Sequence, residues 1–171
     1  MKKLNIIFLI SVFIQLNAFG QIDSLKLIDN VYQLGLLMSK SFMTGDYDKF
    51  LDLTHPKIIE MSGGRDKMIA MFKNGIDPNF KFITNDLQKP DKLIITNSIV
   101  QCSLKQRQEF KINGTEYFTI GYLIGISYDL GKTWKFIGVA GNTLTNLKTY
   151  FPELSNNLDV KSQTKPTQTT K

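Results

Sequence analysis

A strong signal of the fold class lies in residues 92–128, KLIITNSIVQCSLKQRQEFKINGTEYFTIGYLIGISY. It is rich in β-branched and aromatic residues, and apolar and polar side chains alternate along much of it. Asn113-Gly114 is a dipeptide typical of hairpin turns. The stretch therefore predicts two long antiparallel strands, a bent one over residues 92–112 and a second one over residues 115–128.

The register of this hairpin depends on which faces of the two strands are buried. Apolar residues share one face of the first strand: Ile94, Val100, Cys102, Leu104, Phe110 and Ile112. They also share one face of the second: Phe118, Ile120, Tyr122, Ile124, Ile126 and Tyr128. A two-residue turn places Phe118 opposite Glu109, whereas a three-residue loop places it opposite Phe110 and aligns the apolar faces. Burial favours the three-residue loop, or a bulge with the same effect.

With that register, the other face of the second strand carries small, flat residues, namely Thr119, Gly121, Leu123 and Gly125. Such a surface suits sheet-to-sheet packing. We therefore expect a homodimer contact through the open face of the sheet.

Helical periodicity precedes the strands. Apolar residues recur at steps of three and four over residues 24–44, which predicts an amphipathic helix that ends at Gly45. A short second helix follows the capping residue Asp46 and ends before Pro56. A third helix is predicted over residues 65–74.

The remaining elements complete an α+β fold class. Residues 57–61 predict a short strand, and further strands are expected near residues 80–84 and 133–140. A final helical turn is expected within residues 142–154. Three N-terminal helices should therefore pack on a mostly antiparallel sheet.

The first twenty residues have the layout of a secretory signal peptide. Lys2 and Lys3 precede an almost wholly apolar run over residues 4–16, and small residues stand at the cleavage positions of Ala18-Phe19-Gly20. The run is shorter than a bilayer-spanning helix needs. We expect cleavage before Gln21, a secreted or periplasmic location and no membrane span in the mature chain.

Composition bounds the rest of the chain. The 171 residues suffice for one domain, placed at residues 21–154, but are too few for a propeller. A single Cys (Cys102) excludes an internal disulfide, and with a single His (His55) no structural zinc site, metal or cofactor is expected. Residues 155–171 lack apolar residues after Val160, so a disordered tail is predicted.

The net charge does not indicate nucleic-acid binding. The chain has 21 Lys and Arg against 15 Asp and Glu. Two of these basic residues lie in the signal peptide, and the predicted tail carries three Lys and one Asp, so the net charge of residues 21–154 is only about +2. Nucleic-acid binding needs basic residues clustered on one face, and this small excess does not indicate such a cluster.

Four short motifs follow one another between residues 36 and 72: Thr44-Gly45-Asp46-Tyr47-Asp48, Leu53-Thr54-His55-Pro56, Ile58-Ile59-Glu60 and Gly63-Gly64-Arg65-Asp66. In this order they resemble the NTF2-like superfamily, also called SnoaL-like or ketosteroid-isomerase-like. The resemblance implies a cone in which a curved sheet wraps around three helices, with a pocket at the wide end. Members include isomerases, dehydratases, transport factors, immunity proteins and dimerisation modules, so the fold does not choose the function.

The residues that the isomerases of this family use are missing from the sequence. Aligned through the motif that contains Gly45, the family's pocket Tyr falls at Met38 and its base near Ser62, where Glu60 is the nearest carboxylate. The predicted strand over residues 92–112 has Glu109 as its only acidic residue. We therefore assign no catalytic residue.

Residues 127–134, SYDLGKTW, match the Asp-box of sialidase-type propellers. A propeller repeats this motif, and here it occurs once. We interpret it as a stable hairpin between the last two strands. Ser127 and Asp129 would bond to the turn backbone, Gly131 would supply its tight conformation, and Trp134 would pack beneath it.

Two other groups have structural interpretations. His55 could act as a base or as a hydrogen-bonding group in the pocket, but a residue that ends a helix before Pro56 explains it as well. Asp46, Asp48 and Asp52 lack the twelve-residue loop of a calcium site, so they indicate a helix cap and a solvated face.

These observations predict an exported, non-catalytic protein that binds a small apolar or amphipathic molecule in the cone, or serves as a dimeric accessory module. The expected pocket residues are aromatic or carry a polar tip: Tyr32, Phe50, His55, Phe72, Phe118 and Tyr122. Two alternatives stay open. One is an isomerase or dehydratase that uses His55 or Glu60, and the other is an inhibitor or immunity factor that binds a protein through its sheet face.

Overall fold

The computed structural model describes residues 23–169, so the predicted signal peptide over residues 1–20 lies outside the described range. The helices are α1 (Ser24–Met43), α2 (Tyr47–Leu53), α3 (Pro56–Met61), α4 (Arg65–Gly75) and α5 (Leu144–Tyr150). The strands are β1 (Phe80–Leu87), β2 (Ile94–Thr96), β3 (Ile99–Ile112), β4 (Thr115–Ser127), β5 (Lys135–Gly138) and β6 (Thr167–Gln168). The fold is α+β, with an open antiparallel sheet.

Helices α1, α2 and α4 confirm the helical predictions. The carboxylate of Asp23 accepts a hydrogen bond from the Lys26 N–H at 3.1 Å, and that of Asp46 accepts one from the Lys49 N–H at 3.2 Å. Each acidic side chain thus satisfies a free donor in the first turn of its helix.

The strand predicted over residues 57–61 is wrong, because this segment forms helix α3. Pro56 occupies the first helical position, where its missing N–H costs nothing. His55 caps the helix, since its Nδ1 accepts a hydrogen bond from the Lys57 N–H at 3.2 Å. Five residues are too few to separate a helical period from a strand period.

Strands β3 and β4 form the centre of the sheet, whose order is β1-β3-β4-β5. The single bent strand predicted over residues 92–112 is instead two strands, because the chain reverses at Asn97 (φ 56°) and β2 pairs antiparallel with β3. Strand β6 pairs with β4 at Tyr117 and Phe118, along the edge that β5 also uses.

The predicted hairpin register is also wrong. The turn has two residues, Asn113 and Gly114, both with positive φ (50° and 82°), and it places Phe118 opposite Glu109. This is the turn that the dipeptide itself favours. Phe118 tolerates the polar neighbours because the Arg107 guanidinium lies 3.8 Å from the centre of its ring.

The observed register gives the sheet two buried faces. On the helix face, Val31 and Met38 of α1 pack against Val100, Leu104 and Phe136. On the opposite face, the apolar residues of β4 and β5 pack against α5 and the chain that follows it, in a cluster of Tyr122, Ile124, Ile126, Ile137, Val139, Leu147, Phe151, Leu154 and Leu158.

The C-terminal segment therefore differs from the predicted disorder as far as it is described. Leu158 is buried, and the Thr164 N–H donates to the Ile120 carbonyl at 2.9 Å. The Gln163 side-chain amide donates to the Thr119 hydroxyl at 3.1 Å. Few apolar residues suffice here, because edge pairing with β4 satisfies the backbone.

Leu123 and Gly125 of β4 pack on the α1 side, while Thr119 and Gly121 lie against Gln163 of the C-terminal segment. The surface expected to form a dimer contact is therefore covered within the chain. A Cβ at Gly125 would lie 2.8 Å from Val31 Cγ2 and 3.2 Å from Cys102 Sγ. Gly125 is thus the point at which α1 approaches the sheet most closely among the glycines of β4.

Candidate functional site

A cavity of about 370 Å³ lies between the helices and the helix face of the sheet. Helices α1–α4 and the segment between α2 and α3 supply Met38, Ser39, Phe42, Phe50, Thr54, Ile58, Met68 and Phe72. The sheet and the residue beyond β5 supply Asn85, Gln106, Gln108, Leu123, Phe136, Gly138 and Ala140. The lining is mostly apolar, with polar side chains chiefly on the sheet side, as is typical of small-molecule sites.

Aromatic rings form the helical wall of this cavity. Phe42 meets Phe72 edge to face with ring centres 5.2 Å apart, and Phe50 meets Phe72 in the same way at 5.5 Å. Phe82 of β1 extends the group by an edge contact with Phe42 at 5.5 Å. Such edge contacts fix the orientation of the rings, so the wall is preformed.

Asn85 provides the polar group of most consequence. Its side-chain amide donates to the Ser39 hydroxyl at 3.1 Å, while its carbonyl oxygen Oδ1 is buried and has no hydrogen-bond partner among the described residues. An unpartnered buried acceptor costs about 1–3 kcal/mol. The wall therefore presents an acceptor that a donor in the cavity could satisfy.

A β-bulge explains why sequence reasoning missed Asn85. Alternation from Phe80 and Phe82 predicts Thr84 on the same face. The pairing with β3 shifts between Phe82 and Thr84, so Asn85 and Leu87 share that face instead. The extra residue at the bulge leaves no signal in the alternation pattern.

Two of the six expected pocket residues, Phe50 and Phe72, line this cavity. The others lie elsewhere. Tyr32 is half-buried on α1, with the Lys89 ammonium 5.6 Å from its ring centre. Tyr122 and Phe118 lie on the opposite face of the sheet, because the register differs from the one predicted.

His55 lies at the start of α3 and belongs to a hydrogen-bonded chain outside the cavity lining. Its Nε2 is 2.9 Å from the Tyr128 hydroxyl, which donates to Glu153 Oε1 at 2.6 Å. Since the Tyr128 hydroxyl donates its hydrogen bond to Glu153, it can only accept from His55, so Nε2 carries the ring proton and Nδ1 accepts from the Lys57 N–H. Burial lowers the pKa of His55 against the opposing effect of Glu153. The ring is therefore neutral and engaged at both nitrogens.

The Asp-box turn has the predicted local geometry. The Ser127 hydroxyl donates to Asp129 at 2.7 Å and accepts from the Gly131 N–H at 2.8 Å. Hydrogen bonds, first from the Thr133 N–H and then from the Ser127 and Thr133 hydroxyls, lower the pKa of Asp129 to about 2. Trp134 is buried below the turn.

We expect Asp129→Ala to lower the Tm by several degrees, because the carboxylate holds the turn. Its folded-state pKa is lowered, so its stabilising effect is complete above about pH 4 and disappears as the pH falls through about 2. The Tm difference from wild type should shrink over that interval in thermal denaturation. Lys132→Ala, in the same turn, is the control. An unchanged Tm for Asp129→Ala would contradict this interpretation.

Neither a reactive thiol nor a metal-binding cluster is found among residues 23–169. Burial raises the pKa of Cys102 to about 12, so its thiol stays protonated. Over residues 23–169, no three His, Cys, Asp or Glu side chains come together in a way that could hold a metal ion. No helix in that range is long and apolar enough to cross a membrane.

Comparison of the chain with models of protein families finds no match, and neither the curated proteins nor the solved structures compared with it include a matching chain. The class of protein must therefore be argued from the fold and the cavity.

Proposed function

We propose that this chain is an exported NTF2-like protein that binds a small apolar or amphipathic molecule in the cavity between its helices and its sheet. The buried Asn85 Oδ1 carries the proposal, because it is an unsatisfied acceptor at the wall of a mostly apolar cavity. A ligand with an apolar body and one N–H or O–H group would fill the space and satisfy that oxygen.

Two features support the wider assignment. The helices with the family-like motifs cover one face of an antiparallel sheet, and the cavity lies between those two layers. The first twenty residues have the three-part pattern of an export signal.

The two alternatives have less support. An enzyme that uses His55 would need a free ring nitrogen, and both are engaged by Lys57 and Tyr128. Glu60 is exposed on α3 and is absent from the cavity lining. A partner protein bound flat against the sheet would have to compete with α1 on one face and α5 on the other.

Filling the cavity at Gly138 tests the proposal. Gly138 pairs with Leu123 on the helix face, and a Cβ there would have no atom within 4 Å. We expect Gly138→Phe to abolish binding of the neutral fluorescent probe N-phenyl-1-naphthylamine, with little change in Tm. Gly138→Ala is the matched control and should still bind. Equal binding by both variants would place the probe elsewhere and overturn the proposal.

Asn85→Leu separates hydrogen bonding from cavity size. It should weaken binding of N-phenyl-1-naphthylamine about fivefold to tenfold, since it removes one hydrogen bond. Binding of 1-phenylnaphthalene, which has no N–H, should not change. Native mass spectrometry of the protein secreted by its own host would then report any ligand that copurifies.

A further inference from the structure

A second cavity, of about 270 Å³, lies on the face of the sheet opposite the cavity that α1–α4 cover. Its walls come from the β1–β2 connection, from β2, β3 and β4, and from the C-terminal segment: Gln88, Lys89, Asp91, Lys92, Ile94, Ser103, Lys105, Tyr122, Asp159 and Lys161. We call it the lysine pocket. It shares no lining residue with the cavity under the helices.

Three of its four lysines have free ammonium groups. Lys89 forms an ion pair with Asp29 at 2.5 Å. Lys92, Lys105 and Lys161 make no ion pair or side-chain hydrogen bond within residues 23–169, and they come from three separate segments. Separated lysines around one concave surface attract an anion more strongly than any one of them alone.

Ser103 supplies an independent observation. Its hydroxyl is buried, lines the pocket and has no hydrogen-bond partner among the described residues. Ser103 precedes Lys105 by two residues on β3, so the two side chains point to the same face of the sheet. A hydroxyl donor beside an ammonium is an arrangement that an oxyanion can use directly.

The pocket also contains two carboxylates, those of Asp91 and Asp159. These two carboxylates, and Asp29 in its ion pair with Lys89, offset most of the positive charge of the four lysines. The small excess that is left disfavours a polyanion such as nucleic acid. The charge and the size of the pocket therefore suit one anionic group on a small molecule.

We propose that the lysine pocket binds the phosphate or carboxylate group of a small molecule. The negative charge of that group is bound by the ammonium groups of Lys92, Lys105 and Lys161. The Ser103 hydroxyl donates a hydrogen bond to one oxygen of the same group. The C-terminal segment completes the pocket through Asp159 and Lys161.

The test is a titration of the ¹⁵N-labelled mature chain with inorganic phosphate, and separately with succinate, each against sodium chloride at equal ionic strength. We expect saturable shifts of the amide signals of residues 88–94, 103–105 and 159–161. Saturation by phosphate alone assigns a phosphate group, and saturation by succinate alone assigns a carboxylate. Saturation by neither overturns the proposal.

Variants make the assignment specific. Lys105→Gln should weaken binding about tenfold or more, because it removes a charged partner, and Ser103→Ala should weaken it about fivefold to tenfold. Lys132→Gln, an exposed lysine in the Asp-box turn, is the control and should bind as wild type does. Equal effects of Lys105→Gln and Lys132→Gln would show that binding depends only on the net charge of the protein, and this would overturn the proposal. Gly138→Phe should leave these shifts unchanged, so this site and the apolar cavity can fail separately.

Discussion

Replacing Gly125 with valine should cost about 3 kcal/mol in the free energy of unfolding, at the upper end of the usual cost of overpacking a core. A Cβ at this position would lie 2.8 Å from Val31 Cγ2 and 3.2 Å from Cys102 Sγ. Both neighbours are completely buried, and a branched valine on a helix has little freedom to turn away. Helix α1 would have to move off the sheet. Urea denaturation followed by circular dichroism measures the loss.

Gly138→Ala is the matched control for this prediction. Gly138 is also a strand glycine on the helix face, but a Cβ there meets no atom within 4 Å. The substitution should be neutral, or should stabilise the protein by less than about 1 kcal/mol by restricting the unfolded chain. An equal loss at Gly125 and Gly138 would show that strand flexibility matters and that the close approach of α1 does not.

The second large effect is expected for Phe151→Ala, at about 3–5 kcal/mol. Phe151 is 1% exposed and packs with Leu147, Leu154 and Ile126 on the face of the sheet opposite α1. Its ring also meets the edge of His55, with ring centres 5.0 Å apart. Truncation would leave a void beneath α5 and the chain that follows it, which cover this face of the sheet.

Tyr150→Ala serves as the control for Phe151→Ala, because Tyr150 is the neighbouring aromatic residue and is 49% exposed. It should change the free energy of unfolding by no more than about 0.5 kcal/mol. A small loss for Phe151→Ala in the same urea titration would mean that the C-terminal segment does not stabilise the sheet. The packing of α5 and the following chain would then not form a second core on the sheet.

The cavity residues show which parts of the site local sequence patterns predict and which they do not. Phe50 and Phe72 were predicted from aromatic character on helices with a clear apolar face, and both line it. Tyr122 and Phe118 were assigned to the same pocket through the register, and a shift of one residue moved them to the other face. Asn85 was missed because the bulge beside it changes which residues share a face.

Local patterns in the sequence predicted helices α1, α2 and α4, the long β3–β4 hairpin and the Asp-box turn. Caps, glycines and apolar periods act over a few neighbouring residues, so they can be recognised without the tertiary structure. The Asn113-Gly114 dipeptide also favours the observed two-residue turn, although the alignment of apolar faces predicted a three-residue loop. That both faces of β4 are buried follows from the tertiary packing, and no local sequence pattern predicts it. Burial of a face depends on which distant segment covers it. Here residues 144–158, which follow the strands in the sequence, cover the face opposite the N-terminal helices.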